Sequence, residues 1–469
     1  MKNPDRKPIM LPPELVRRLE SQKYIDSGKL AEALSGPAPV SIRINKEKWD
    51  HIPSGAKPVP WCRDGFYLEE RPSYTADPLF HSGCYYPQEA SGMFIGQVFR
   101  QMEGASGFRY VLDLCGAPGG KATHLASLIG KNGLLVANEV IRPRASVLAE
   151  NITRWGTSNT MVTRNDPAEF AGLPGFFDLI LVDAPCSGEG MFHNPVAVKE
   201  WSPENAQLCR ERQKRILMDI WPSLKEDGIM IYSTCTFNPG ENEMMIKWLV
   251  EKQEAVSLRL DISQFKGIVE INFQGISGYG FYPGEIKGEG LFISVLKKTK
   301  RQDPLRLKIK KRNDIKLTGD ERAVAEEWTT FPPENIVRFK DRVAALPGRF
   351  GETSHLLNTL RVIKAGTVIY TVRNRNYIPS HELAVSQYIK NGSFNSIDVD
   401  HDKALSFLKR ENLSAAGAQK GWNIIRYKGI NLGFVNNIGY RMNNYYPADR
   451  RIKMEVSASD KDKILRWNK

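Results

Sequence analysis

The sequence predicts an α/β protein: a mostly parallel sheet covered by helices on both faces, set between smaller modules. Three observations carry that expectation. Residues 101–298 alternate short apolar runs with stretches of helical length, the pattern of repeated strand–helix units. The runs "FRYVLDLC", "GLLVANEV" and "FDLILVDAP" are apolar along most of their length, as strands buried on both faces are. They close on glycine, proline, cysteine or acid, at the strand ends where parallel sheets bind ligands.

In chain order, "PELVRRLESQK" (13–23) reads as a helix. "PVSIRINK" (39–46) reads as a half-buried strand, because apolar and polar side chains alternate. The proline-rich stretch 54–65 reads as a connection, and 84–99 leads into a helix; together these make an N-terminal α+β module, 1–100. Strands then fall at 108–115, 133–140, 159–166, 177–185 and 228–235, with helices at 121–130, 143–156, 203–224 and 241–252 and a late strand at 291–298. The run 297–312 holds nine basic residues and one acid, which marks 299–312 as a basic linker, either solvated or facing RNA. Residues 313–384 read as an intermediate α+β module with a pair of strands inside 357–374 joined at a glycine. In 385–469, short strands around glycine turns suggest a small β barrel, with aromatics mixed among Arg and Lys.

Bulk properties narrow the function. The chain has 469 residues, 41% hydrophobic and 25% charged, which suits several soluble domains. No apolar run reaches the roughly 18 residues of a membrane span, and the N-terminal stretch has no secretory signal core, so a cytoplasmic location without membrane contact is expected. The net charge of +13 favours a polyanionic partner, nucleic acid foremost. The six cysteines include no C-x-x-C pair and the seven histidines do not cluster beside them, which argues against a metal site and a disulfide framework.

The stretch "DLCGAPGGKA" (113–122) then has to be matched to a ligand. A phosphate-binding loop fails twice: Cys115 stands where its upstream glycine belongs, and Ala122 where its hydroxyl belongs. The G-x-G-x-x-G dinucleotide fingerprint is absent. S-adenosylmethionine carries no phosphate and needs close backbone approach plus acids for its polar edges. Asp113, Glu139, Asp166 and Asp183 fall at four successive strand tips and would line one acidic crevice. Any one of them alone is an ordinary turn former or helix cap. Lys121, opening the next helix, would meet a cofactor carboxylate or an RNA phosphate.

Two further motifs, "VDAPCSGEGMF" and "STCTFNPGENE", each carry a cysteine, Cys186 and Cys235. With "CGAPGGK", "YYPQEASGM" and "RIN" at Arg43–Asn45, they resemble the signatures of the Sun/nucleolar-protein family of RNA cytosine-5 methyltransferases. The layout of the whole chain is similar to the bacterial F-type 16S ribosomal RNA enzymes. Gly116 and Ala122 depart from the alanine and threonine common in that family, and neither removes a reacting group. The resemblance implies a Rossmann-like methyltransferase domain and a last module of PUA-like β-barrel form, 385–469, with the flanking modules gripping RNA. It implies S-adenosylmethionine held by Cys115, Gly116, Ala117, Pro118, Gly119, Gly120 and Lys121 with Glu139, Asp166 and Asp183.

It also implies roles that spacing alone leaves open between the two cysteines. Carbon 5 of cytosine is a poor nucleophile until a thiolate adds to carbon 6. The family assigns that thiolate to the position of Cys235 and product release to that of Cys186. Asp183 would hydrogen-bond the ring and favour protonation at nitrogen 3, for which a dry pocket would raise its pKa. A thiolate needs its own pKa lowered by basic groups or helix N-termini. The expected partner is ribosomal RNA or the small ribosomal subunit, with the enzyme a monomer. The alternatives are the same chemistry on transfer RNA, or a non-catalytic RNA-binding assembly factor on a dead methyltransferase fold.

Overall fold

The structure, a computed structural model, describes residues 11–104, 107–302, 316–414 and 417–468. At its centre lies the expected parallel sheet. Its five parallel strands are β1 (Tyr110–Asp113), β2 (Leu134–Asn138), β3 (Thr160–Thr163), β4 (Phe177–Asp183) and β5 (Leu224–Thr234). They lie side by side in the order β5-β4-β1-β2-β3. Alternate residues bury into two cores: Val111, Leu135, Leu179 and Ile231 on one face, Leu112, Val136, Ile180 and Val182 on the other. Helices α1 (Gly120–Leu128) and α2 (Arg142–Trp155) cover the first face through Leu125 and Leu148. Helices α3 (Pro203–Ile220) and α4 (Glu243–Lys252) cover the second through Leu217 and Ile246. Strand order reverses between β1 and β4, so the loops leaving those strands diverge and open a crevice.

Beyond β5 the sheet turns antiparallel. Leu291–Lys298 pairs with β5 and carries a hairpin, Ile268–Phe273 with Ile276–Phe281, that the sequence pattern does not announce. Its turn, Gln274-Gly275, holds both residues at positive φ, 49° and 85°, the geometry that Asn-Gly usually supplies. Of the basic run, residues 303–312 lie outside the described residues. Lys298, at its start, turns inward instead of facing solvent: its Nζ donates to the carbonyls of Leu224 at 2.6 Å and Trp221 at 3.3 Å.

The flanking modules differ from expectation in three places, each for a packing reason. Stretch 54–65 is not a mere connection. It holds two strands, Lys57–Val59 and Cys62–Leu68, of a four-stranded sheet with Val40–Ile44 and Tyr85–Pro87. Pro58 is tolerated because its strand lies at the edge, where a missing N–H breaks no ladder. The strands expected inside 357–374 form, but they do not pair with each other. Val362–Ala365 pairs with β3 and extends the central sheet, while Thr367–Arg373 enters a separate sheet beside Arg342–Ala345. Gly366 makes the corner at φ 58°, and a Cβ there would lie 1.9 Å from the Ala345 carbonyl oxygen, so only glycine fits.

In the last module, Asn395–Asp398, Gly421–Tyr427, Ile430–Asn437 and Met442–Asn444 form an open four-stranded sheet; no barrel closure is seen among the described residues. Both faces find cover elsewhere. Ile425 and Val435 pack with Ile42 and Ile44 of the N-terminal module, and Ile424 and Phe434 pack with Trp328 and Tyr370. A sheet covered on both sides has no need to close on itself. Among the described residues no helix is long and apolar enough to cross a membrane.

Candidate active site

The crevice at the reversal point is built from the loops after β1, β4 and β5. After β1, the chain bends through Cys115–Gly119 into α1. Gly119 sits at φ 123°, a conformation open to glycine and strained for other residues. One cleft is lined by Cys115, Gly116, Ala117, Pro118, Gly120 and Lys121 together with Asp113 and Asp183. Its opposite wall is Tyr86, Gln88 and Glu89, from the "YYPQEASGM" motif whose individual roles the sequence left unassigned. Arg43 locks that wall to the loop: it donates from Nε to Gln88 Oε1 at 2.8 Å and from Nη2 to Thr123 Oγ1 at 2.6 Å. Its guanidinium also stacks 4.4 Å from the Trp155 ring centre.

The acids sort themselves by environment. Asp113 is fully buried, and neither carboxyl oxygen has a hydrogen-bond partner among the described residues. Burial, with Asp183 adding like charge, pushes its pKa up to about 7. Glu139 is buried just behind the loop, accepting from Ile141 N at 3.0 Å and pairing with Arg144 at 3.4 Å; Arg144 in turn donates to the Ala117 carbonyl at 3.1 Å. Asp166 stands apart from the cleft lining: it caps the short helix Pro167–Gly172 and pairs with Arg215 at 3.0 Å. Asp183 faces the cleft with both oxygens accepting, from Lys121 Nζ at 2.9 Å and from Ser233 Oγ at 2.7 Å. The carboxyl that is buried without a hydrogen-bond partner is Asp113, not Asp183. Burial would lower the Lys121 pKa, but Asp183 and the other acids outweigh it and hold it above the ordinary lysine value.

The two cysteines meet. Asp183 on β4 pairs with Ser233 on β5, so the loops that follow leave the sheet together. Cys186 Sγ lies 3.1 Å from Cys235 Sγ and accepts from Cys235 N at 3.2 Å. The hydrogen-bonded Cys235 sulfur, then burial, pushes the Cys186 thiol well above the ordinary value. Either thiol can donate to the other across this contact. Cys115 is also pushed up, by burial and then by Asp113, which fits a wall of the cleft and not a nucleophile.

Beneath the pair lies a brace that the sequence reading passed over. The residues that follow the two cysteines, Ser187 and Thr236, are bonded oxygen to oxygen at 2.8 Å. Glu241, fully buried, accepts from Ser187 N at 3.0 Å, Ser187 Oγ at 2.5 Å and Gln213 Nε2 at 2.9 Å. Glu189, also fully buried, accepts from Phe237 N at 3.1 Å, Trp201 Nε1 at 2.9 Å and Arg18 Nη2 at 2.5 Å. Each glutamate sits in one cysteine motif and binds the other. Gly190 closes the contact: its N donates to the Cys235 carbonyl at 2.8 Å, and a Cβ there would lie 2.6 Å from the Gly290 backbone. Both glutamates lie in the quoted motifs, but an acid in a loop reads as solvated until its burial is known.

Asp113 supplies a test of cofactor fit. A buried carboxyl without a protein partner, next to a glycine bend that keeps side chains out of the way, suits the polar edge of a nucleoside or an amino-acid tail. This cleft at the sheet's reversal point, beside a paired-sulfur centre, defines an S-adenosylmethionine-dependent methyltransferase. Residues 105–297 match the 16S rRNA methyltransferase RsmB/F family, 11–90 the N-terminal domain of 16S rRNA methyltransferase RsmF, and 394–452 the methyltransferase RsmF PUA domain. Ribosomal RNA small subunit methyltransferase F of Klebsiella pneumoniae is 30% identical over 84% of this chain and 84% of its own. That of Shewanella piezotolerans is 29% identical over 92% and 93%. A solved methyltransferase homologue from Pyrococcus horikoshii, 28% identical, superposes over 61% of this chain and 100% of its own with a TM-score of 0.50. The chain belongs to the RsmF family of ribosomal RNA methyltransferases.

Proposed function

We propose that this enzyme methylates carbon 5 of a cytosine in 16S ribosomal RNA through a covalent bond between Cys235 and carbon 6. The observation that carries the reading is the sulfur pair, 3.1 Å apart, at neighbouring strand ends beside the Asp183–Lys121 ion pair. Cys235 adds to carbon 6, and carbon 5 becomes enamine-like. Asp183 hydrogen-bonds the ring at nitrogen 3 and relays to it a proton from the Lys121 ammonium as the thiolate adds. S-adenosylmethionine, held by the Cys115–Lys121 bend with Asp113, Glu139 and Asp183, supplies the electrophilic methyl group when bound. Asp166 reaches that set only indirectly, by fixing the helix after β3. Cys186 then gives its proton to the departing Cys235 sulfur and takes the carbon 5 proton in its place, while nitrogen 3 returns its own to Lys121 through Asp183. The base must leave its stack to reach the pair, at a cost of a few kcal/mol.

Cys186→Ala is expected to accumulate a protein–RNA adduct that survives a denaturing gel, whereas Cys235→Ala gives neither adduct nor methylation. Mapping 5-methylcytosine in 16S RNA with and without the enzyme identifies the substrate. A mark lost from transfer RNA instead would move the reaction to that substrate. Methylation that persists in Cys235→Ala would end the covalent reading.

A further inference from the structure

One further segment meets both halves of the active site. Lys287–Gly290, "KGEG", runs just before the strand Leu291–Lys298 and touches the "YYPQEASGM" motif on one side and the cysteine loops on the other. It belongs to no helix or strand, so no ladder fixes its course. On the cysteine side, Gly290 N donates to the Gly190 carbonyl at 3.3 Å, and Gly190 N donates to the Cys235 carbonyl at 2.8 Å. A Cβ on Gly290 would collide with the ring of Phe237, two residues beyond Cys235. On the other side the segment is tied down by Glu89. Glu89 Oε1 accepts from Glu289 N at 2.8 Å and from Ser91 N at 2.8 Å, and Oε2 accepts from Gly92 N at 2.9 Å. Ser91 Oγ adds a bond to the Glu289 carbonyl at 2.9 Å. Gly288 keeps that approach open, because a Cβ there would collide with Ser91 Oγ. Glu89 itself lines the cofactor cleft.

We infer that Glu89 is a positioning residue for Cys235: through segment 287–290 it holds the loop that carries the sulfur in register with the wall of the cofactor cleft. This role rests on the reading of Cys235 as the nucleophile and adds what sets its place. The contacts run from Glu89 to Glu289, along the chain to Gly290, and on through Gly190 to the Cys235 carbonyl. A single carboxylate oxygen gathers N–H groups from two distant segments, so its loss releases both at once. The Ser91 bond and the glycine packing remain, so the segment shifts without detaching. Attack at carbon 6 tolerates little of that, since a misplacement of about 1 Å costs up to about a hundredfold in rate.

The test uses the full-length enzyme in a Cys186→Ala background and follows the rate of covalent adduct formation with 16S RNA, at saturating RNA and S-adenosylmethionine. Glu89→Ala is expected to slow the adduct about thirtyfold. Its RNA affinity is expected to stay within about twofold. Glu89→Gln keeps an oxygen for Ser91 N and Glu289 N, and is expected to recover the rate to within about threefold of the parent. Ser91→Ala, which removes only the bond to the Glu289 carbonyl, is expected to slow the adduct about threefold. A parent rate in Glu89→Ala overturns the inference, and so does a Glu89→Gln enzyme as slow as Glu89→Ala. A loss confined to RNA affinity overturns it as well. Should Glu89→Ala fail to fold, Ser91→Ala decides: a slowed adduct supports the role and an unchanged rate overturns it. Absence of the adduct in the background with Glu89 and Ser91 intact is a failure of the catalytic reading alone.

Discussion

The two halves of the active site treat buried acids in opposite ways. On the cysteine side, Glu189 and Glu241 are fully buried and each accepts hydrogen bonds from at least two donors on neighbouring loops. On the cofactor side, Asp113 is as deeply buried and accepts none from the described residues. A satisfied acid fixes geometry, because moving its loop orphans several donors at once. An unsatisfied one keeps its capacity for a ligand. The difference teaches that the chemistry of the sulfur pair is set by the protein alone, whereas the glycine bend is left to be completed by what binds there.

The comparison breaks most severely at Glu241. Glu241→Ala strands Ser187 N in the interior, at about 1–3 kcal/mol, and takes one partner each from Ser187 Oγ and Gln213 Nε2, which keep Thr236 Oγ1 and the Pro185 carbonyl. Loss of detectable methylation is expected, together with a lower melting temperature and no trapped adduct in a Cys186→Ala background. Glu241→Gln keeps the shape but turns one acceptor into a donor, so an intermediate rate is expected. A Glu241→Ala enzyme with the parent kcat would show that the brace does not position the cysteines.

A smaller effect is expected at Arg18, which reaches Glu189 from the helix Pro13–Glu20 of the N-terminal module. Removing it leaves a buried carboxylate with three neutral donors, Trp201 Nε1, Phe237 N and Ser187 Oγ, and no cation. Because Arg18 is itself partly exposed, the loss should fall below the roughly 3–5 kcal/mol of a fully buried broken pair. Arg18→Ala is expected to lower kcat by about tenfold to a hundredfold, at 1.4 kcal/mol per tenfold, with KM for RNA little changed. Single-turnover methylation at saturating RNA reads this directly. A rise in KM alone would make Arg18 an RNA contact and not part of the brace.

How much of this was legible in the sequence follows from the physics of each part. Strands β1 to β5 are buried on both faces, so their unbroken apolar runs and the turn chemistry after them could be read directly. The cleft residues Cys115–Lys121 followed from the same pattern. The hairpin Ile268–Phe281 was missed because Gln274 occupies a position where Asn or Asp would have been the signal. The sheet change at Gly366 was missed because two strands joined by a glycine look alike whether they pair or part. The cysteines announced themselves, but the brace did not: Glu189 and Glu241 are recognisable only by the donors that converge on them from residues as distant as Arg18.

The mildest prediction sharpens the cofactor half. Asp113 has its pKa raised from 3.8 to about 7 by burial and by Asp183. Below about pH 4 its carboxyl is protonated in folded and unfolded chains alike, and the full stability is present. As pH rises, the unfolded chain ionises first while the folded chain still holds the proton, so stability is progressively lost until pH passes about 7 and then levels off. Asp113→Asn carries no such titration. Without cofactor, its melting temperature is therefore expected to gain on the parent as pH rises from about 4 to about 7, by about 2–4 °C for each kcal/mol. Parallel curves across that range would mean that the carboxyl is already solvated or bonded in the free enzyme, and the contrast with Glu241 would disappear.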